Sequence, residues 1–492
     1  MYVAQAAADQ ARRGWDVAVA CPLGGPGDAD LPGAGGLAAR LAELGVPHAV
    51  WDAGREPGPH VLREIRELRR IVDRFAPHVL HLHSAKAGLV GRLLDPPGRR
   101  PRRRRAHATI FQPHGWSWLA ATGARASAVL RWERWAARHR TDALVCVGAG
   151  ELRGGEEAGV RGPYRVVRNG VDLRRFTPAG DVDRKAARDA LGLPAEAPLA
   201  VCVGRVTRQK GQDVLLDAWP AVLGRCPEAV LAVVGDGDEL PRLRQRADGM
   251  RGVLFVPPVR DTREWLAAAH LVVLPSRWEG LPLVALEALA RGRSLVCSGI
   301  PGLTEVLPDG AGALVPPEAP GALADALAWR LARPEVADEE GRLGAAAAGA
   351  FDLDGTLAAL ADLTAGLAGH GTGCAAACGG APGDDRPGDD ATGGTGPDGG
   401  GPSAAGAGDA GVRRAGAGGG AAGGEAGTGA GTGAGPSGAP PGTLPGAFPG
   451  TPCGTAPGRL SGPVPGTASG AVCGAGAPDS GAWVAMPEEG EW

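Results

Sequence analysis

The sequence has 492 residues, a net charge near −3 and a surplus of turn-forming residues, with 83 glycines and 43 prolines. That charge excludes a general affinity for nucleic acid, and without a long apolar run or a basic-then-apolar start the expectation is a soluble or peripheral protein, not a spanning one. Nine cysteines are scattered and odd in number, the closest pair, Cys374 and Cys378, being weak evidence for a metal, so a reduced cytoplasmic setting with no bound metal is the simplest reading.

In chain order, Tyr2 to Arg13 reads as a helix closed by Gly14, and Trp15 to Cys21 as a strand, so the chain begins on a helix. Leu37 to Leu44 and Val61 to Phe75 read as helices, Pro47 to Trp51 and His78 to His83 as strands. His81, His83 and Lys86 thereby reach a strand end, where α/β folds place ligands; alternatively His81 is a core histidine and Lys86 a solvated cap. The run RRPRRRR, Arg99 to Arg105, is either a solvated insertion or a contact for anionic lipid or a lipid-linked phosphate, at roughly 1 kcal/mol per positioned cation. Ala108 to His114 is a strand running into a loop at Gly115. Trp132 and Trp135, among arginines on the next helix, suit either a membrane interface or the core. Ala143 to Val147 and Tyr164 to Val167 are strands, and Asn169 with Gly170 forms a turn of hinge character.

A second α/β unit follows. Leu199 to Val203 is a strand that ends in GRVTRQKG, Gly204 to Gly211, which lacks the Lys-Ser/Thr of a Walker A loop. It offers two cations, Arg205 and Lys210, at a strand-to-helix turn. Asp236 and Asp238, after the strand that starts at Ala229, suit turn and helix-cap duties rather than a metal. Gly252 to Val259 is a strand followed by a loop at Arg260. Then LVVLPSRWEGLPLVALEALARG, Leu271 to Gly292, passes from an apolar strand through a polar loop into a helix. Glu287 falls within the apolar arc of Leu283, Val284, Leu286 and Ala290, so its carboxylate needs a protein partner or a ligand that supplies hydroxyls. Glu279 precedes the helix, whose first free amides welcome an anion. Another strand and turn lead to Glu305, and Ala322 to Leu331 and roughly Leu343 to Leu367 read as closing helices. Beyond about Gly366 no apolar period remains, and such a composition buries too little surface to offset the ordering cost.

The stretch EGLPLVALE, Glu279 to Glu287, resembles the Glu-x7-Glu signature of retaining family 4 glycosyltransferases of the GT-B fold. The resemblance implies that Glu287 holds ribose hydroxyls and Glu279 the transferred sugar, with amides from Gly280, Leu281, Leu283 and Val284 on the sugar and distal phosphate. Pro282 has no N–H, so one contact made by some relatives is missing here. By the same resemblance Arg205 and Lys210 neutralise the donor diphosphate and His114 reaches the sugar across the cleft. The loop around His81 and His83 faces the acceptor, Val259 and Arg260 lie by the base, and Glu305 matches a glutamate of uncertain role. Relatives open with one further strand and a glycine-rich loop; their absence here suggests a start assigned too late or a compromised N-terminal domain, because loss of a central strand leaves two unpaired edges.

The expected architecture is therefore α/β GT-B, two Rossmann-like domains facing across a cleft. An acceptor-side domain spans 1–168, a donor-binding domain 169–345, a crossing helix 346–367 and a disordered tail 368–492. The expected reaction moves a sugar from a nucleotide diphosphate sugar (UDP or GDP) to a hydroxyl, with retention and without metal or other cofactor. The acceptor would belong to cell-envelope polysaccharide or glycolipid synthesis, at the inner face of the membrane. The alternatives are a non-catalytic nucleotide-sugar-binding remnant, an inverting transferase or an epimerase.

Overall fold

The computed structural model describes residues 2–22, 36–54, 58–94, 107–372 and 481–485, and for 370–372 and 481–485 the backbone only. The basic run Arg99 to Arg105, Cys374, Cys378 and most of the tail lie outside the described residues. Two parallel sheets organise the rest. The first uses β1 (Asp16–Cys21), β2 (His48–Val50), β3 (Val79–His83), β4 (Ala108–Gln112), β5 (Ala143–Cys146) and β6 (Tyr164–Val166). The second uses β7 (Leu199–Val203), β8 (Val230–Val234), β9 (Val253–Val256), β10 (Leu271–Leu274), β11 (Ser294–Ser298) and β12 (Gly312–Val315). A last strand, β13 (Gly481–Ala485), joins the first sheet. The strands β3, β5, β7, β10 and β11 are buried throughout, which is why β5, β7 and β10 read as unbroken apolar runs rather than as alternating ones.

The helices between the strands are α1 (Tyr2–Arg12), α2 (Leu37–Glu43), α3 (Val61–Phe75), α4 (Ser84–Gly91), α5 (Gly123–His139) and α6 (Ala149–Glu157) in the first unit. The second carries α7 (Asp181–Leu191), α8 (Gln212–Leu223), α9 (Leu240–Arg246), α10 (Arg263–Ala268), α11 (Leu283–Ala290), α12 (Pro301–Thr304), α13 (Pro320–Leu331) and α14 (Pro334–Ala347), and α15 (Leu353–Thr372) closes the run. Among the described residues no helix is long and apolar enough to cross a membrane.

The second sheet has the order β12-β11-β10-β7-β8-β9. Chain progression therefore reverses between β7 and β10, and in a doubly wound sheet the crevice outside the carboxyl ends of those two strands is the ligand position. Both candidate donor loops leave the sheet there. Alternate side chains of this sheet face two cores, one with Leu286 and Leu289 of α11, the other with Leu215 and Trp219 of α8 and Leu327 of α13.

The first sheet has the order β2-β1-β13-β3-β4-β5-β6. Its two strands expected to have open edges do not meet each other. Gly481–Ala485 lies between them, parallel to both, with Asp16 opposite Gly481 and Val79 opposite Ala482. Of the stretch expected to lack structure, 368–372 thus continue α15 and 481–485 form this strand.

The closing stretch around Leu343 to Leu367 is divided between two helices, with a break at residues 348–352. Phe351 is buried there, and the chain pairs with the hinge through Val171 N to Phe351 O (2.8 Å) and Leu353 N to Val171 O (3.0 Å). That tertiary pairing interrupts a segment whose local pattern favours helix. α15 then packs Leu353, Leu357 and Leu360 among Tyr2, Val3, Val19 and Val145 of the first domain.

Candidate functional site

At the end of β7 the chain turns through Gly204–Gly211, and Gly211 sits at φ +68° with any Cβ falling 2.1 Å from Pro275 O. Only glycine allows the β7 loop to lie this close to the β10 loop. The two loops are tied further by Arg277 N to Gln209 O (2.8 Å) and Gln209 Nε2 to Trp278 O (3.0 Å). Arg277 also grips Asp213 through two 2.9 Å hydrogen bonds, which hold the Asp213 carboxyl below its ordinary pKa and raise that of the guanidinium.

This closeness brings two of the sequence candidates into contact. Lys210 Nζ donates to Glu279 Oε1 at 2.8 Å, and Ser276 Oγ donates to the same oxygen at 2.6 Å. Both charged side chains are nearly buried, at 10% and 6% exposure, so the pair has lost most of its water and is held by geometry. Arg205, half-buried, reaches Gln209 Oε1 at 3.5 Å, and its own carbonyl accepts from Gln212 Nε2 at 2.8 Å.

Glu287 lies on α11, half-buried, where Thr262 Oγ1 donates to Oε2 at 3.0 Å. Burial of the carboxyl raises its pKa from 4.5 to about 7, against the opposing effects of that hydrogen bond and the positive charge of Arg175. A small crevice runs past it, lined by Gln5, Asp172, Arg175, Phe176 and Leu283 among others. The α11 start adds the amides of Leu283 and Val284, which have no partner within the helix.

The opposite wall comes from the first domain. His114 sits at φ +55°, a left-handed conformation that lifts its ring off the end of β4, and its Nε2 is 2.8 Å from His83 Nδ1. Gly280 abuts this loop closely, since a Cβ there would fall 2.9 Å from Val147 and 3.3 Å from the His114 carbonyl carbon. His81 and His83 are buried and stacked 4.0 Å apart. Desolvation lowers both, His81 to about 3 and His83 well below its ordinary value, so the two rings are neutral.

Lys86 departs from both sequence readings. It is 1% exposed and forms a buried ion pair with Glu64 at 2.9 and 3.0 Å, so it is neither a solvated cap nor a cation at the cleft. Arg260 is paired with Glu43 of the first domain. Trp135 is 36% exposed and Trp132 is partly buried beside it at 5.3 Å. Asp236 accepts from the amide of Gly237 at 2.7 Å, and the described residues hold no cluster of His, Cys, Asp or Glu suited to a metal.

Four positioning groups were not singled out as such by sequence reasoning. Ser276 and Thr262 hold the two glutamates. Asn169 Nδ2 donates to Leu281 O at 2.7 Å, so the turn at Asn169 also fastens the loop between β10 and α11. Glu151 accepts from the amides of Val147 (2.8 Å) and Gly115, which fixes the loop carrying His114. Only Asn169 and Glu151 had a local signal, a polar residue in a turn and an acidic residue in a first helical turn.

Two family models match the chain: "Glycosyl transferase 4-like domain" over residues 1–170 and "Glycosyl transferases group 1" over residues 197–333. A D-inositol 3-phosphate glycosyltransferase of Catenulispora acidiphila is 38% identical over 217 residues, 41% of this chain and 50% of that relative. The chain thus spans about half the length of the curated relatives it matches. Among solved structures, sucrose-phosphate synthase of Thermosynechococcus elongatus superposes with TM-score 0.61 at 23% identity, covering 74% of this chain and 92% of that one. HepE of Anabaena with UDP-glucose gives TM-score 0.61 at 20% identity, over 74% and 95%. At these identities the likeness concerns the fold, two Rossmann-like domains of GT-B type.

Proposed function

This chain belongs to the family 4 glycosyltransferases of the GT-B fold, and we propose that it transfers a sugar from a nucleotide diphosphate sugar to an acceptor hydroxyl with retention of anomeric configuration. The observation that carries this reading is the convergence of Arg205, Lys210 and Glu279 at the crevice between β7 and β10, directly opposite the His114 loop. The HepE structure, bound to UDP-glucose, lends a nucleotide sugar as the donor class.

In this reaction the glycosidic bond to the diphosphate breaks and negative charge builds on the leaving oxygens. Arg205, Lys210 and the amides of Leu283 and Val284 are the groups that stabilise it. Lys210 is held by Glu279 before the donor arrives; a diphosphate competes for the ammonium and frees Glu279 to accept hydroxyls from the sugar. Glu287 accepts from the ribose, and His114 meets the sugar from the other wall. The leaving phosphate takes the acceptor's proton, so no enzyme nucleophile and no metal are required. Closure of the two domains excludes the water that would hydrolyse the donor. A lipid-linked acceptor in envelope polysaccharide or glycolipid synthesis, met at an anionic membrane surface, completes the proposal.

The test is calorimetric titration of UDP and of GDP, without metal, into the wild type and an Arg205→Ala, Lys210→Ala double variant. One nucleotide should bind and the double variant should lose it. If neither nucleotide binds the wild type, the donor assignment falls. Binding without turnover of any donor sugar would instead leave a nucleotide-sugar-binding protein.

A further inference from the structure

Glu305 follows α12 in the second domain, and its carboxylate is occupied entirely by the first. Oε1 accepts from Arg168 Nε at 3.0 Å and Oε2 accepts from the amide of Gly150, in the first turn of α6, at 3.1 Å. The carboxylate is 11% exposed, and charge-assisted hydrogen bonds of this kind are about twice as strong as neutral ones. The backbones around it touch. A Cβ on Gly150 would meet Pro301 at 2.7 Å, one on Gly148 would meet Glu305 Oε2 at 2.7 Å, and one on Gly302 would meet Gly280 O at 2.2 Å and Glu279 O at 2.8 Å.

These contacts form a short rigid path across the cleft. Gly302 backs onto the Glu279–Gly280 peptide, Pro301 and Glu305 seize the start of α6, and the next residue of α6, Glu151, holds Val147 and Gly115. The loop bearing His114 and the loop bearing Glu279 are therefore fastened to the same contact. We propose that Glu305 is a positioning residue, an interdomain latch that holds the closed cleft and thereby sets His114 against Glu279 and Gly280. Its effect on transfer rests on the glycosyl-transfer reading above; its effect on closure does not.

Glu305 lies outside the groups assigned to diphosphate and ribose, so a latch defect separates closure from nucleotide affinity. The variants are Glu305→Ala, which removes both hydrogen bonds, Glu305→Gln, which keeps an acceptor and the shape but not the charge, and Arg168→Ala. The expected result for Glu305→Ala is a kcat for transfer at least tenfold lower, a nucleotide Kd within twofold of wild type, and a larger fraction of donor lost to water. Glu305→Gln and Arg168→Ala should fall between it and wild type. Closure is read separately from the distance between spin labels at Leu62→Cys and Val182→Cys, exposed positions on α3 and α7, in otherwise full-length protein. The latch predicts a longer or broader distance in Glu305→Ala than in the Glu305 background. An unchanged distance, or a loss of nucleotide affinity equal to the loss of transfer, overturns the proposal. If the label distance moves but no nucleotide binds the wild type, the latch stands and the functional reading fails.

Discussion

Replacing Glu287 by Gln tests the assignment of its buried carboxyl in two independent ways. The folded-state pKa of about 7 stands above the ordinary 4.5, so the folded protein binds a proton that the unfolded chain has released between those values. Stability consequently falls as pH rises from about 4.5 to 7, and the cost is fully present above that window. A shift of about 2.5 units corresponds to about 3 kcal/mol at pH 8 and less than about 1 kcal/mol at pH 5. Both are upper bounds, because Glu287 is only half-buried and keeps some water. Gln retains an acceptor for Thr262 Oγ1 and carries no charge. Urea unfolding at pH 5 and pH 8 should therefore show Glu287→Gln more stable than wild type at pH 8, with the gain shrinking at pH 5. In the proposed site ribose hydroxyls donate to the ionised carboxylate, so wild-type nucleotide affinity should weaken below about pH 7, by up to tenfold per unit, whereas the variant should bind weakly with a flat profile. A variant no more stable at pH 8, or a gain identical at both pH values, would refute the account of Glu287.

Other changes probe the framework. Gly211→Ala is expected to lower the unfolding temperature and weaken the proposed nucleotide binding together, because its φ of +68° and the 2.1 Å approach to Pro275 O force the β7 and β10 loops apart; calorimetry of the variant checks both. Lys86→Ala leaves Glu64 charged and buried without its partner, with an expected loss of about 3 to 5 kcal/mol in denaturant unfolding and no specific effect on nucleotide affinity once folded. Truncation after residue 474 removes β13 from between β1 and β3, so the amides of Val79 and His81, which face β13, should lose protection in hydrogen exchange while those of Val201 and Val273 keep theirs. Equal protection in the truncated and full chains would show that β13 does not support the sheet.

Much was legible from local pattern. Buried strands such as β7 and β10 announce themselves as apolar runs, Val61–Phe75 matches its helix to the residue, and Leu271 to Gly292 forms the strand, loop and helix its pattern indicated. Glu287 was marked by being a carboxylate on an apolar helical arc, and the structure places it half-buried with Thr262 as a partner. What local pattern could not supply were contacts between residues far apart in the chain. Lys210 and Glu279 are 69 positions apart, and their ion pair depends on a glycine letting one loop touch another. Lys86 looked solvated because nothing near it in sequence reveals Glu64 beneath it. The division between α14 and α15 follows from a backbone pairing with Val171, which no helical pattern encodes.

By itself, then, the amino-acid order determined which segments become strands and helices, and which charged residues stand at strand ends, because periodicity and turn chemistry act within a few residues. Only the tertiary structure decided that β13 lies between β1 and β3, that Lys210 donates to Glu279, and that Glu305 closes on α6. Each of those depends on strand order, loop approach and domain apposition, and these arise from burial of whole faces against one another rather than from any local preference.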